Sequence, residues 1–224
     1  MVTGSGTGDD IPPIIEFIGN EGEIYAQDLS SEMSIAGSES VVSAHPDAKV
    51  HFSVSNASLL PFADNFFDGA FHFGGINLFD NIPSAIAEME RVVKPGRRVI
   101  FGDEGVAPWL RETDYGRMAI ANNPLWKANA PVELLPRNVV DVTLSWVLGN
   151  CFYIVSFTVS EEGPFMNMDV PHKGPRGGSM RTRYLGQLEG VSEKSKRFVL
   201  EEAERMGISV YDWLEQAIRN KKKR

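Results

Sequence analysis

The chain has 224 residues, 42% hydrophobic and 23% charged, with a formal net charge of −8. That length and balance fit one large or two small globular domains and exclude collagen-like, mucin-like and wholly disordered chains. No window approaches about 18 consecutive apolar residues, so no transmembrane helix is expected, and the single cysteine, Cys151, excludes an internal disulfide and a thiolate metal site.

The N-terminus carries no basic stretch ahead of an apolar run, so no secretory signal is expected, and with one cysteine the expected setting is a reducing cytoplasm. Val2 precedes the loop Gly4-Ser5-Gly6-Thr7-Gly8. A helix is expected from Ile11 to Ile18, with Pro12-Pro13 tolerated in its first turn. Gly19 to Gly22 reads as a turn, and Glu23 to Gln27 as a short strand ending at Asp28. Ser30 or Ser31 then caps a helix that carries Met33 and Ile35. Val50 to Val54 and Phe67 to Phe73 read as strands joined by the turn-rich Leu60-Pro61-Phe62-Ala63-Asp64-Asn65. From Ile82 to Val93 the apolar residues recur at three and four positions, which predicts a helix stopped by Lys94-Pro95-Gly96, and Val99 to Phe101 is a further strand.

Residues 105–138, rich in Pro, Asn and Trp, read as a partly helical cap insertion. Asp141 to Trp146 and Phe152 to Val159 form an antiparallel hairpin about Leu148-Gly149-Asn150. Residues 161–180 lack periodicity and are expected to be a flexible loop. The remainder, 181–224, is expected to be a basic strand–helix–helix tail. Its strand is Met180 to Leu185, its first helix runs from Ser192 to Met206 and closes at Gly207, and its second begins at Ser209 with Asp212. Charge separates the two parts: residues 1–180 hold 11 basic against 23 acidic side chains, and residues 181–224 hold 11 against 7. An acidic body is a poor partner for nucleic acid.

Alternation of strands and helices over the first hundred residues predicts an α/β domain. Three glycines after a strand and before a helix let backbone N–H groups approach a ligand at the positive end of the helix dipole. An acidic residue at the end of the next strand is placed for ribose hydroxyls, and Asp28 follows Gly8 by twenty residues. The spacing Gly4-x-Gly6-x-Gly8 is shorter than the dinucleotide fingerprint and favours an adenosyl ligand without a pyrophosphate. The plainer readings are a tight turn for the glycines and a helix cap for Asp28. His72 stands either as a general base near the reacting group or as a structural histidine. Asp103 and Glu104, at the end of the fifth strand, either orient a substrate or cap the next segment. Trp109, Tyr115, Trp126 and Trp146 suit either a lid over a flat substrate or a core.

With these motifs in order, the stretch from Val2 to Glu104 resembles class I S-adenosylmethionine-dependent methyltransferases of the quinone-biosynthesis-like small-molecule group. The resemblance is carried by Gly4-Ser5-Gly6-Thr7-Gly8, by Gln27 to Met33, by Ser55-Asn56-Ala57 with Leu60-Pro61-Phe62, by Phe67-Asp68-Gly69-Ala70-Phe71 and by Arg91 to Gly96. It implies a doubly wound Rossmann-like sheet, mostly parallel with a C-terminal antiparallel hairpin, over residues 1–160. It also implies S-adenosylmethionine as cofactor and methyl transfer to a small apolar or aromatic molecule. Gly4, Ser5, Gly6 and Gly8 would then line the methionine and ribose side, Asp28 would take the ribose hydroxyls and Leu29 would lie against the adenine. Asn56 and Ala57 would meet the adenine edge, Phe73 would lie near the sulfonium, His72 would be catalytic, and Glu104, Trp109 and Tyr115 would bind substrate. Two positions depart from the family: Val2 stands where an acidic residue is usual, and Asn56 where Asp is usual. Only Met1-Val2-Thr3 precede Gly4, so the first strand is expected to be truncated. The tail is similar to ribbon-helix-helix subunits, which implies a homodimer through the tail. DNA binding by alternating Arg181 and Arg183 is the less favoured reading. The alternative for the whole chain is a catalytically degenerate methyltransferase fold serving assembly.

Overall fold

The computed structural model describes residues 1–19, 21–173, 178–185 and 191–222. Parts of three expected segments lie outside those residues: Asn20 of the turn, 174–177 of the 161–180 loop, and 186–190 with Lys223 and Arg224 of the 181–224 tail. The chain divides into two compact units, Met1–Pro164 and Phe165–Arg224.

In the first unit, short β-rich runs separated by helices produce seven strands. They are β1 (Val2–Thr3), β2 (Glu23–Asp28), β3 (Lys49–Val54), β4 (Phe67–Phe73), β5 (Val93–Glu104), β6 (Val140–Val147) and β7 (Phe152–Thr158). They form one sheet in the order β3-β2-β1-β4-β5-β7-β6. The first five are mutually parallel, while β7 runs antiparallel to both β5 and β6. This is the doubly wound α/β sheet with a terminal hairpin that the sequence predicts. The chain crosses between α1 (Ile11–Ile18), α2 (Ser31–Ala44) and α3 (Ile82–Val92), and α4 (Asp114–Asn122) belongs to the 105–138 insertion.

Two periodicities meet in the core. Residues two apart on β5 (Val99, Phe101) and β7 (Tyr153, Val155, Phe157) share a fully buried cluster with Ile86, Met89 and Val92 of α3. A second cluster joins Val2, Ile24 and Ala26 to Ile11 and Ile15 of α1 and Val41 of α2. Pro12 and Pro13 sit in the first turn of α1, where no N–H partner is lost. At the end of α3, Arg91 donates to both oxygens of Glu88, to Asp64, and to the carbonyls of Leu60 and Phe62. That fan of bonds pins the connection before β4.

The fifth strand is longer than expected. Lys94-Pro95-Gly96 does not separate helix from strand, because α3 ends at Val92 and the backbone is extended from Val93 onward. Long-range pairing overrides the local breaker: Val93 lies opposite Phe67, and Gly96, at φ +77°, donates to the Val159 carbonyl at 2.9 Å. The first strand is two residues long and sits in the middle of the sheet, paired with both β2 and β4. Below it, β2 and β4 diverge around a cavity of about 670 Å³ bordered by Ile24, Tyr25, Phe67 and Phe71.

The second unit holds α5 (Met180–Leu185), α6 (Glu193–Met206) and α7 (Val210–Lys222). The expected strand at Met180 to Leu185 is therefore a helix. Its cause is local: Ser179 and Thr182 cap reciprocally, each hydroxyl accepting the other's backbone N–H. Arg181 is held by both oxygens of Asp169, so the alternating basic ribbon on which the DNA reading stood is absent here, and the Arg183 side chain lies outside the described residues. The ribbon that the implied homodimer would use likewise has no counterpart among the described residues. The two later helices follow expectation: Ser192 caps α6, Gly207 ends it at φ +64°, and Ser209 caps α7 while donating to Asp212. Phe198 and Trp213 pack edge to face across this helical hairpin. Among the described residues no helix is long and apolar enough to cross a membrane.

Gly8 sets a test of the frame. It has φ +82°, and a Cβ there would lie 2.9 Å from Val41 Cγ2 in α2. Gly8→Ala should cost about 2–4 kcal/mol, the sum of a left-handed backbone penalty and overpacking. Urea denaturation should show Val41→Ala recovering part of that loss, the part owed to the methyl contact.

Candidate functional site

A cavity of about 280 Å³ opens at the C-terminal ends of β1, β2 and β4. The connections from neighbouring strands β1 and β4 leave in opposite directions along the sheet, which is where ligands gather in open α/β folds. Gly4 contributes from the loop after β1, and Gln27, Asp28 and Leu29 from the end of β2. Asn56 and Ala57 follow β3, while His72, Gly74 and Gly75 come from the end of β4 with Leu78, Phe79 and Asp80 beyond.

The Asp28 carboxylate organises this cavity. One oxygen accepts the Gly6 N–H at 2.8 Å and the other accepts the Ser30 N–H at 2.9 Å. Ser30 in turn caps α2 by accepting the Met33 N–H. Thus Asp28 ties the glycine loop to the start of α2, and each oxygen keeps acceptor capacity for a hydroxyl donor. Gly4 takes φ +60°, and a Cβ on it would lie 3.0 Å from His72 Cε1, so the loop can press on the histidine only as glycine. The Gln27 carboxamide is buried between Thr3 and Ser55, bracing the ends of β1 and β3. The Asn56 side-chain oxygen accepts the Ser58 N–H at 2.8 Å and holds its own turn beside the cavity. Leu29 stands exposed at the rim, an apolar side chain left free to cover a flat ring.

His72 is fully buried, with Nδ1 2.7 Å from the Thr3 carbonyl and Nε2 without a partner among the described residues. Burial holds its pKa below the ordinary histidine value, against weaker opposing effects of the Thr3 carbonyl, Asp103 and Asp28, so the ring is neutral at pH 7.

Asp103 is also fully buried and accepts from the backbone N–H groups of Gly75, Asn77 and Glu104. Glu104 is half-buried, and hydrogen bonding with Asp103 followed by desolvation pushes its carboxyl up to about 7. Around this end of β5 run aromatic side chains. Phe73 stacks on Phe152, Trp126 meets Phe152 edge-on, and Trp109, Trp146 and Tyr153 form a second chain of edge contacts. Tyr115 reaches the hairpin turn, its hydroxyl donating to the Gly149 carbonyl and accepting from the buried Cys151 thiol.

Of the residues that the sequence nominates, Gly4, Asp28, Leu29, Asn56, Ala57 and His72 converge on the cavity. Gly6 meets Asp28 through its backbone, Ser5 is buried beneath the loop and Gly8 packs on α2. Phe73 and Glu104 lie toward the β5–β7 side, with Trp109 and Tyr115 in the insertion beyond. Gln27, Gly74, Gly75 and Asp80 border the cavity without having been nominated. The Gly74-Gly75 pair directly after a strand, both at positive φ, was the available signal for the middle two.

Residues 2–101 match the family described as methyltransferase domain. A ubiquinone/menaquinone biosynthesis C-methyltransferase of Francisella philomiragia is 34% identical over 96 residues, covering 42% of this chain and 38% of that protein. A 2-phytyl-1,4-naphtoquinone methyltransferase of Synechocystis is 32% identical over 98 residues, covering 44% and 41%. The matched stretch thus spans about two fifths of these curated relatives. Among solved structures, phosphoethanolamine N-methyltransferase 2 of Haemonchus contortus, in complex with S-adenosyl-L-methionine, superposes with a TM-score of 0.56 at 14% identity, covering 71% of this chain and 48% of that one. Geranyl diphosphate C-methyltransferase of Streptomyces coelicolor gives 0.54 at 12% identity, covering 70% and 71%. These two share the fold. The sheet order and the glycine loop clamped by the acidic end of β2 agree with the match of residues 2–101 to the methyltransferase domain family.

Proposed function

We propose that this chain binds S-adenosylmethionine in the cavity at the ends of β1, β2 and β4 and transfers its methyl group to a small apolar or aromatic molecule. The observation that carries the reading is the cradle itself: a loop whose glycines approach closely, the Asp28 carboxylate beside it, and exposed Leu29 with Ala57 and Asn56 on the adjacent wall. Asp28 would hold the ribose hydroxyls, Leu29 and Ala57 the adenine faces, and Asn56 its edge. When bound, the cofactor supplies an electrophilic methyl group on a sulfonium, so the chain's own contribution is chiefly placement. The acidic side chains at the cavity, Asp28 and Asp80 on its wall and Asp103 behind it, favour a cationic ligand there.

The acceptor side rests on the aromatic surfaces of Phe73, Trp126 and Phe152, which suit a flat ring by stacking and edge contact. The relatives that the chain resembles are named for quinone methylation, which agrees in kind with such a substrate. Glu104 is the group on that side whose proton is exchangeable near neutrality, and it would take a proton from an acidic C–H or O–H of the acceptor. Trp109 and Tyr115, on the insertion, would close over the same side.

Calorimetric titration with S-adenosylhomocysteine tests the cofactor reading. Micromolar binding is expected for the wild-type chain, and Asp28→Ala should weaken it at least about 30-fold, because charge-assisted bonds are lost both to the ligand and to the loop. A folded chain that does not bind would favour the assembly reading instead.

Glu104 yields a pH test that needs no substrate. Its carboxyl titrates near 7 when folded against an ordinary value of 4.5, so the unfolded chain loses the proton first. Stability from this group is therefore complete below pH 4.5 and falls as pH rises to about 7. Glu104→Gln should match wild type at pH 4 and exceed it at pH 8 by about 1 kcal/mol, discounted for partial solvation, read as a melting shift of about 2–4 °C.

A further inference from the structure

His72 lines the cavity with Leu29 and Ala57, and its ring carries an unmet requirement. The Thr3 carbonyl can only accept, so at 2.7 Å from it Nδ1 must bear the proton. Nε2 is then a lone pair, buried and without a partner among the described residues. A buried acceptor left unpaired is costly, and a group that pairs with it gains accordingly.

The missing partner must be a donor. A carboxylate or phosphate would set lone pair against lone pair, and the surroundings disfavour an anion further. Asp28 and Asp80 line the cavity, Asp103 lies behind Gly75, and none of the described lining residues is Lys or Arg. His72 and Gly75 both line the cavity, and a Cβ built at Gly75 would meet nothing within 4 Å. Val2, buried before the loop, has no side-chain acceptor to offer.

Resting on the cofactor reading above, we propose that His72 is a positioning residue for the cofactor: its Nε2 accepts a hydrogen bond from the α-ammonium of the methionine end, while Nδ1 anchors the ring to Thr3. A second consequence is acid sensitivity. Protonation would turn Nε2 into an N–H and set imidazolium against ammonium. The charged groups facing the ring are Asp28 from β2 and Asp103 from β5, with Asp80 on the cavity wall. The Thr3 carbonyl from β1 sits against Nδ1, and the Phe79 ring lies 5.0 Å away between centroids.

The experiment compares two ligands by calorimetry on the full chain. S-adenosylhomocysteine carries the α-ammonium, and 5′-methylthioadenosine shares the adenosyl thioether without it. His72→Phe should weaken S-adenosylhomocysteine about tenfold or more and leave 5′-methylthioadenosine within about twofold, a selective loss on the scale of one charge-assisted bond. His72→Gln, which keeps an acceptor, should recover part of the difference. Retained 5′-methylthioadenosine binding shows that the variant's site is folded. In the wild type, S-adenosylhomocysteine affinity should fall as pH drops below the ordinary histidine range, while 5′-methylthioadenosine affinity stays flat. Equal losses for both ligands, or no loss for either, would overturn the assignment and leave the cofactor reading standing. Failure of both ligands to bind the wild-type chain would overturn the cofactor reading and this assignment with it.

Discussion

A carboxylate with a backbone N–H on each oxygen is the constraint from which the site is built. Asp28 ends β2, and by holding Gly6 on one side and Ser30 on the other it converts two connections into one rigid corner. Such charge-assisted bonds are stronger than neutral ones and are partly shielded from water here. The glycines make that corner possible, because only they take the positive φ values that turn the loop back over the strand end. The first turn of α2 is fixed in the same stroke, since Ser30 is both a donor to Asp28 and the cap of the helix. The residue that the sequence offers for a ligand is thus also a structural clamp, and the two roles are compatible because a carboxylate has acceptor sites to spare.

The corner has meaning only because the sheet brings other strand ends beside it. β1 is two residues long, but its place between β2 and β4 sets Thr3 against His72 and Gly4 against the imidazole. The strength of the sheet lies elsewhere, in the long pairing of β4, β5 and β7 and in the buried cluster that α3 covers. The heavily packed half therefore supports the half where the ligand cavity opens, an arrangement that gives precision to a site whose own strand is short.

How legible this was from sequence depends on whether local signals and long-range pairing agree. The end of β2 at Asp28, the Ser30 cap and the period of α3 are written in neighbouring residues, and the structure reproduces each. The early part of β5 is not, because Pro95 and Gly96 read as a stop unless the partner at Val159 is known. The segment from Met180 to Leu185, expected as a strand, departs for the opposite reason: the reciprocal Ser179–Thr182 cap starts a helix turn locally. Within the site, Asp28 and the loop were visible as a spacing, but the loop's hydrogen bond to Asp28 joins residues 22 apart and has no local trace. Asp80 is hidden likewise, since nothing in its own neighbours distinguishes it from an ordinary polar residue.

A second carboxylate repeats the device on the other flank. Asp103, at the end of β5, holds the backbone of Gly75, Asn77 and Glu104 as Asp28 holds Gly6 and Ser30. Gly75 borders the cavity and Glu104 faces the aromatic side, so one buried group sets the geometry of both. Tyr153, whose phenol burial keeps protonated, adds a donor to Asn77 at 3.4 Å and joins the strand hairpin to the same loop. The two aspartates bracket the cavity with negative charge that already serves backbone donors, so the potential is fixed before any ligand enters. A cationic sulfonium would meet that potential without requiring side chains to reorganise. Hydrogen bonding with Asp103, then desolvation, impedes ionisation of Glu104, which keeps a proton on the acceptor side until the pH reaches neutrality. The aspartates thus set the potential on one side of Gly75, while hydrogen bonding to one of them, Asp103, keeps the Glu104 carboxyl protonated on the other.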